Sequence, residues 1–459
     1  METVSESRTD ILDEGKYSRT RLFFATFAVY SLHFSTGAVI AWPSPMIPRL
    51  NLSDSENALV SSLFSLGAAP GPIITTFGID SIGRKATLFV SSAAFLISWI
   101  LLIFSQNITV IYLARVIGGI GIGGSFSGVS VYVAEIADDA TRGPLGSFLQ
   151  TFLAVGFLVE YCVGPYVSFT LLAVVNLLLG ILFVIFFYFV PESPHYLIAK
   201  GKIKEAYSAL IWLRGNVSED KIQREISMIQ EGLKKEKQSV TGIKKLFTSC
   251  AVFKGMGIGI LLIMMQQGSG INAVLAYVQL IFENANLHLD AVTVPILLGL
   301  TNLFASLPAP LLVKWFGNKV TFVISSLGSG VFLCLLGLYF YLVDQKYDTT
   351  YLGALSVVSI ILFNIFFCLG LGPLVWSAIA EIFSSSVKAM AMGVCGVFSA
   401  IFGFFAIEVF STVLHTYGFY TVFFGFGVYL LIGGLCILLF VPNTSRMTLQ
   451  QIQDYLENK

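Results

Sequence analysis

The chain is 459 residues long with a formal net charge of zero; 56% of it is hydrophobic, 12% is charged, and its mean hydropathy is +0.81. Soluble domains carry roughly 25% charged residues, so too little polarity remains here to face water, and the neutral balance gives no pull toward nucleic acid. An all-α polytopic membrane protein, with the lipid bilayer as its surroundings, is the class left standing.

Residues 1–21 are polar and mixed in charge, with no apolar core beside a small-residue cleavage site. The first apolar run therefore reads as a membrane span and not as a signal peptide. Runs long enough to cross about 30 Å of hydrocarbon occur at residues 22–44, 57–78, 86–105, 109–136, 144–163, 166–190, 252–282, 291–313, 320–343, 350–380, 389–414 and 418–441, twelve in all. A polar block at 191–250 separates the sixth from the seventh, and its "GKIKEAYSALIWLRG" and "EDKIQREISMIQEGLKKEKQ" are patterned as helices. The expected organisation is an N-terminal segment 1–21, a six-span half 22–190, a cytoplasmic helical linker 191–250, a second half 251–441 and a tail 442–459. With the N-terminus in the cytoplasm, 24 of the 27 Lys and Arg fall on the cytoplasmic side. The positive-inside rule then places both termini there, in a multi-pass plasma-membrane protein expected to act as a monomer. Asn51 and Asn107 open N-x-S/T sequons in the outer loops and are the candidate glycosylation sites. The six cysteines (Cys162, Cys250, Cys334, Cys368, Cys395 and Cys436) are scattered without CxxC spacing, so neither a disulfide framework nor a metal site is expected.

The two halves repeat one another. "GIDSIGRK" (78–85) answers "LVKWFGNK" (312–319), "VAEIAD" (133–138) answers "IAEIFS" (379–384), and "VPESP" (190–194) answers "VPNTS" (441–445). A six-span unit used twice in the same orientation is the pattern of parallel-repeat transporters, whose substrate site lies between the repeats. In the fourth span, "GGIGIGGSFSGVS" sets small residues four apart, which lets helices approach closely. Packing is the better reading of that ridge.

The seventh span is unusual for lipid. "MMQQGSGINAVLAYVQLIFE" (264–283) carries Gln266, Gln267 and Asn272 around Gly268 and Gly270. On an intact helix Gln267 and Asn272 stand about 140° apart and cannot both face one ligand. The glycines permit local unwinding, which would bring both amides to a central cavity. Carboxamides donate and accept hydrogen bonds, as sugar hydroxyls do, so uncharged amides suit a neutral polyol.

Over nearly its whole length the chain resembles the sugar porters of the major facilitator superfamily. "DSIGRK", "YVAEIAD" with "TRGPLGSFLQ", "PESPHYL", "QQGSGINAVLAY" and "GLGPLVWSAIAEIF" are similar to that family's signatures. "AWPSPMIPRL" looks more like the insect facilitative trehalose/hexose transporters than the vertebrate glucose carriers. The resemblance implies a substrate-binding set of Gln150, Gln266, Gln267, Asn272, Tyr277 and Asn302, with Trp376 offering an apolar ring beside the 370–373 break. It also implies a cytoplasmic gate made of Asp80, Arg84, Glu135, Arg142 and Glu192 in the first half, and Glu381 and Lys388 in the second. No cofactor is implied and no enzyme signature is present: there is no phosphate loop, nucleophile elbow or metal constellation.

Departures from the family pattern bear on mechanism. In the second half Lys314 and Asn318 stand where an acid and an arginine are usual, Asn443 replaces a Glu, and His195 replaces the Arg of the P-E-S-P motif. Fewer inner ion pairs imply a carrier that rests open to the cytoplasm. Cys368, Ser399-Ala400 and Ala276 shrink side chains near the cavity, so a hexose such as glucose and the disaccharide trehalose both stay open as substrates. Glu160 and Glu408 occupy equivalent places in the repeat, near outer helix ends. Solvation by an outer vestibule is expected for both, with gating or proton coupling as the other reading. The acid that proton-coupled sugar porters carry in their first helix is Ser35 here. Facilitated transport is therefore the leading reading, proton symport the runner-up, and a non-transporting sugar sensor the alternative from another class; the short tail after the last span counts against the sensor.

Overall fold

The computed structural model describes residues 19–443, apart from 139–140, 216, 239–249, 286–289, 291, 350–351 and 384, together with Gln451. These residues are helical throughout their regular structure. The first half contains α1 (Thr20–Ala41), α2 (Pro43–Leu50), α3 (Asp54–Ala68), α4 (Pro70–Ser81), α5 (Arg84–Ile103), α6 (Ile108–Ile136), α7 (Arg142–Val163) and α8 (Phe169–Tyr188). The linker forms α9 (Pro194–Ala199), α10 (Ile203–Arg214) and α11 (Glu219–Gln238). The second half contains α12 (Cys250–Gln267), α13 (Ile271–Glu283), α14 (Thr293–Ala305), α15 (Ala309–Asp344), α16 (Gly353–Leu369), α17 (Leu374–Ile382), α18 (Ser385–Tyr417) and α19 (Phe419–Phe440).

Eleven helical segments among the described residues are long and apolar enough to cross a bilayer; the shorter α14, continued after a turn by the start of α15, supplies the eighth of the twelve expected spans. Apolar side chains point outward along the spans, with Phe77, Phe104, Phe253, Phe405 and Leu439 all more than half exposed. In water such a belt would be a liability, whereas hydrocarbon is its natural solvent.

Several spans expected to be single helices are broken, and each break has a local cause. Pro43 starts α2 and Pro70 starts α4; proline has no N–H to donate and is favoured in a first helical turn. Pro308 precedes α15 in the same way, and the 370–373 turn divides α16 from α17. The repeat is visible in backbone conformation. Gly83 (φ 99°, ψ 166°) starts α5, and Gly317 (φ 82°, ψ 165°) interrupts α15 at the matching point of the second half. Only glycine enters that region readily, so both copies keep it while their neighbours diverge.

Packing bears out the bland reading of the small-residue ridge. A Cβ on Gly119 would sit 2.8 Å from the Gly67 Cα, and one on Gly123 would sit 2.9 Å from the Gly71 Cα, so α6 lies directly on α3 and α4. The linker folds on its own apolar cluster of Leu197, Leu210, Ile222 and Ile226. It is tied to the first half by Arg214, whose Nη1 donates to the Ile136 carbonyl at the end of α6 (2.7 Å) and whose Nη2 pairs with Glu225 (2.6 Å).

The halves meet along three seams: α3 and α4 against α18, α7 against α14, and α13 against α1 and α2. α6, α16 and α17 pack in the main against their own halves. The named contacts between halves therefore lie from mid-height toward the face opposite the linker.

Candidate functional site

The interruption of the seventh span has the form its glycines imply. α12 ends at Gln267, Gly270 takes a left-handed conformation (φ 76°, ψ 7°), and α13 starts at Ile271. The Ser269 hydroxyl donates to the Gln266 carbonyl (2.7 Å) and accepts from the Ile271 N–H (3.3 Å), satisfying backbone groups that the break exposes. Unwinding brings the two amides together: Asn272 Nδ2 donates to Gln267 Oε1 at 2.7 Å, and Gln267 Nε2 donates onward to Ser399 Oγ on α18 at 2.8 Å. Gln266 turns the other way. Its Nε2 donates to the Leu371 and Gly372 carbonyls (2.8 and 2.9 Å), so one broken helix holds another open.

Alanine at position 270 tests the geometry. A left-handed conformation costs an L-residue about 1–2 kcal/mol, and the new Cβ would also lie 3.1 Å from the Phe426 ring. Gly270→Ala is expected to lower the thermal midpoint of the purified protein. An unchanged midpoint would mean that the break does not need a glycine.

The remaining residues of the implied substrate set are dispersed. Gln150 is half-buried on α7, and Trp376 is half-buried just after the 370–373 turn. Asn302 is buried; its Nδ2 donates to the Leu298 carbonyl (3.2 Å), and its Oδ1 accepts from the Cys368 thiol (3.3 Å). Tyr277 is fully buried, stacked on Phe410 with its hydroxyl 3.4 Å from Ser411 Oγ. Gln267, Asn272 and Ser399 thus form one connected group, with Gln266, Asn302 and Tyr277 engaged elsewhere.

The charged motifs on the linker side assemble within the first half. Arg84 meets Glu135 through Nη2 (2.8 Å) and Nε (2.8 Å), donates through Nη1 to the Ile79 carbonyl (2.9 Å), and reaches Asp80 at 3.4 Å. Ser193 Oγ also donates to Glu135. Glu192 accepts from the backbone N–H of Lys85 (3.1 Å) and of Ser193 (2.7 Å); burial pushes its carboxyl above the usual range, and these bonds pull it back down. The second half keeps an analogue: Asn318 Nδ2 donates to Glu381 Oε2 at 3.0 Å, an amide bond where the first half has the Arg84 guanidinium. Lys388 is exposed, and the Arg142 side chain lies outside the described residues.

The two intramembrane acids have different surroundings. Glu160 is fully buried (0% exposed), so the vestibule expected to solvate it does not reach it. Its Oε1 accepts from Asn176 Nδ2 (2.6 Å), while its Oε2 has no hydrogen-bond partner and makes no ion pair with Arg115, itself 1% exposed. Arg115 donates to the Val60 (2.8 Å) and Val39 (2.5 Å) carbonyls between the rings of Trp42 and Phe64. Glu408 instead stands at the seam between halves, accepting from Ser62 Oγ at 2.5 Å. Residue type pointed to neither Asn176 nor Ser62: one polar residue in an apolar run has no signature until its partner is in place. Ser399 was legible only as a departure from the family pattern. Asn51 and Asn107 are both exposed; Asn107 Oδ1 caps α6 by accepting from Val110 N (3.1 Å).

Comparison with known proteins agrees with this architecture. Residues 12–456 match the model of the family described as sugar (and other) transporter. The chain is 28% identical over 434 residues to the facilitated trehalose transporter Tret1 of Bombyx mori, covering 94% of this chain and 85% of that protein. It is 27% identical to the Tret1 of Culex quinquefasciatus, covering 92% and 82%. Among solved structures, the fold is similar to an inward-open conformation of the xylose transporter XylE from E. coli (TM-score 0.80, 22% identity, 94% of this chain and 99% of that one). It is likewise similar to the proton:xylose symporter XylE bound to 6-bromo-6-deoxy-D-glucose (TM-score 0.77, 24% identity, 96% and 100%). A membrane-spanning all-α chain of two broken-helix repeats, with amides gathered at the break and a family match along almost all of its length, belongs to the sugar porters of the major facilitator superfamily.

Proposed function

We propose that this protein carries a neutral sugar, a hexose or trehalose, down its concentration gradient across the plasma membrane by alternating access. The observation that carries the reading is the Asn272–Gln267–Ser399 chain of hydrogen bonds at the unwound segment. Polar, uncharged groups that donate and accept in equal measure match sugar hydroxyls and no charged substrate. Gln150, Gln266 and Asn302 complete the amide set, Trp376 gives the sugar an apolar face, and Tyr277 closes the site from α13. Asn302 and Tyr277 must exchange their present partners to do so. Ser399, Ala400 and Ala276 are smaller than the side chains the family pattern carries there, which favours a larger sugar, and the insect relatives are named for trehalose transport. Both termini and the linker face the cytoplasm, the monomer suffices, and Asn51 and Asn107 are the glycosylation sites.

The state described is open toward the linker side, which is the cytoplasm on this reading. Seams closed opposite the linker and halves packed separately beside it support that assignment. Asp80, Arg84, Glu135, Arg142, Glu192, Glu381 and Lys388 then serve a cytoplasmic gate that is apart in this state, each set bound within its own half. Uptake of radiolabelled glucose and trehalose into proteoliposomes, with and without an inward proton gradient, tests the reading. Uptake that equilibrates and ignores the gradient is expected; gradient-driven accumulation would make the protein a symporter, and no uptake of either sugar would remove the proposal.

A further inference from the structure

We propose that the seam between α3 and α18 is the outer gate of this carrier, locked by two polar pairs, Ser62–Glu408 and Asp54–His415. Four contacts run along it in order. His415 Nδ1 pairs with Asp54 Oδ2 at 3.1 Å, Ser62 Oγ donates to Glu408 Oε1 at 2.5 Å, and Ser65 Oγ donates to the Ala400 carbonyl at 3.0 Å. Innermost, Pro72 at the start of α4 packs on Gly396, where a Cβ would lie 2.9 Å from the proline ring. As numbers fall along α18 they rise along α3 and α4, so two antiparallel helices from opposite halves are zipped from their outer ends to mid-height.

The chemistry grades along the zip in the way a reversible gate requires. Its inner part uses small residues and a backbone carbonyl, which lets the helices touch. Its outer part uses an acid, a hydroxyl and a partly exposed His–Asp contact, groups that water can take over when the seam parts. Each polar bond broken on opening is replaced by hydration, so the seam closes firmly without becoming irreversible. Glu408 is thereby a gate residue.

The inner end of the zip also touches the site. A Cβ on Gly403 would lie 2.7 Å from Ser65 Oγ and 3.2 Å from Gln267 Oε1, so α18 brings the gate hydroxyl and the central amide within one turn of each other. Ser399, which Gln267 holds, immediately precedes Ala400, which Ser65 holds. Sugar that draws Gln267 away from Ser399 loosens the same stretch of α18 that closes the gate.

This inference rests on the alternating-access reading, and its test does not need the sugar. In the full chain with its own cysteines replaced by serine, Ser65→Cys reports the seam through its rate of reaction with a membrane-impermeant thiol reagent applied to each face. Slow labelling is expected in that parent. Asp54→Asn and Glu408→Ala are each expected to speed labelling from the outer face roughly two- to fivefold, the range for a partly exposed polar pair. Exchanging the pair, Asp54→His with His415→Asp, is expected to return the rate toward the parent value, which a merely unfolded variant could not do. Unchanged labelling in both single variants, or no recovery in the exchanged pair, would overturn the gate. Faster labelling from the linker face alone would overturn its assignment as outer. A protein that shows these shifts yet moves neither glucose nor trehalose supports the gate and counts against the sugar reading only.

Discussion

Replacing Gln267 with alanine is expected to lower the initial rate of sugar uptake by about 10- to 100-fold while leaving a folded protein. Gln267 is the middle member of the Asn272–Gln267–Ser399 chain, accepting through Oε1 and donating through Nε2. Removing it strands the Asn272 amide and the Ser399 hydroxyl. A polar group stranded in this way loses about 1–3 kcal/mol, and every 1.4 kcal/mol is roughly tenfold in a rate. Part of that loss falls on the resting state and part on the sugar-bound one, which sets the range. Ser399→Ala removes one bond of the two, so its effect is expected to be several-fold smaller. Initial rates in proteoliposomes, read beside the melting midpoint of each variant, separate a binding defect from a folding defect. Uptake within twofold of the parent in a folded Gln267→Ala protein would show that the central amide does not engage the substrate.

The second large effect is on stability. Glu160→Ala is expected to destabilise the protein by about 1–3 kcal/mol, the cost of leaving a buried polar group without its hydrogen-bond partner. Asn176 is the partner left behind: its Nδ2 loses its acceptor in a place where the residue is 1% exposed. Replacing both members of the bond with apolar side chains, Glu160→Leu with Asn176→Leu, is expected to recover most of the loss, because replacing both partners of a buried hydrogen bond can be nearly neutral. Thermal melts of the three proteins in one detergent decide the matter. A Glu160→Ala protein as stable as its parent would mean that the bond to Asn176 carries no structural weight, and proton coupling would then become the better account of the acid's presence.

These two residues mark the boundary of what could be read without coordinates. Gly268 and Gly270 told that the seventh span unwinds, because glycine is the residue that enters a left-handed turn without strain, and the unwound segment does join Gln267 to Asn272. The pseudo-repeat, too, was legible: Gly83 and Gly317 share one unusual conformation as their matching motifs imply. Glu160 and Glu408 were equally equivalent by position, yet one is sealed inside its half and the other hydrogen-bonds across the seam. Position along a helix fixes depth in the membrane. It does not fix which neighbour a given face of the helix meets.

The same distinction holds for the whole molecule. Composition and the spacing of apolar runs determined that the chain crosses the membrane, since continuous apolar runs of that length form helices that satisfy their own backbone hydrogen bonds in hydrocarbon. Glycine and proline determined most places where those helices break, and the charged motifs determined that Arg84, Glu135 and Glu192 meet. The tertiary structure alone decided that Gln266 is spent on holding the 370–373 turn, that Asn302 bonds Cys368, that Asn176 bonds Glu160, and that α3 closes on α18. Each of these depends on the angle at which two helices cross. Crossing angles follow from the packing of side chains distant in sequence, and no local pattern records them.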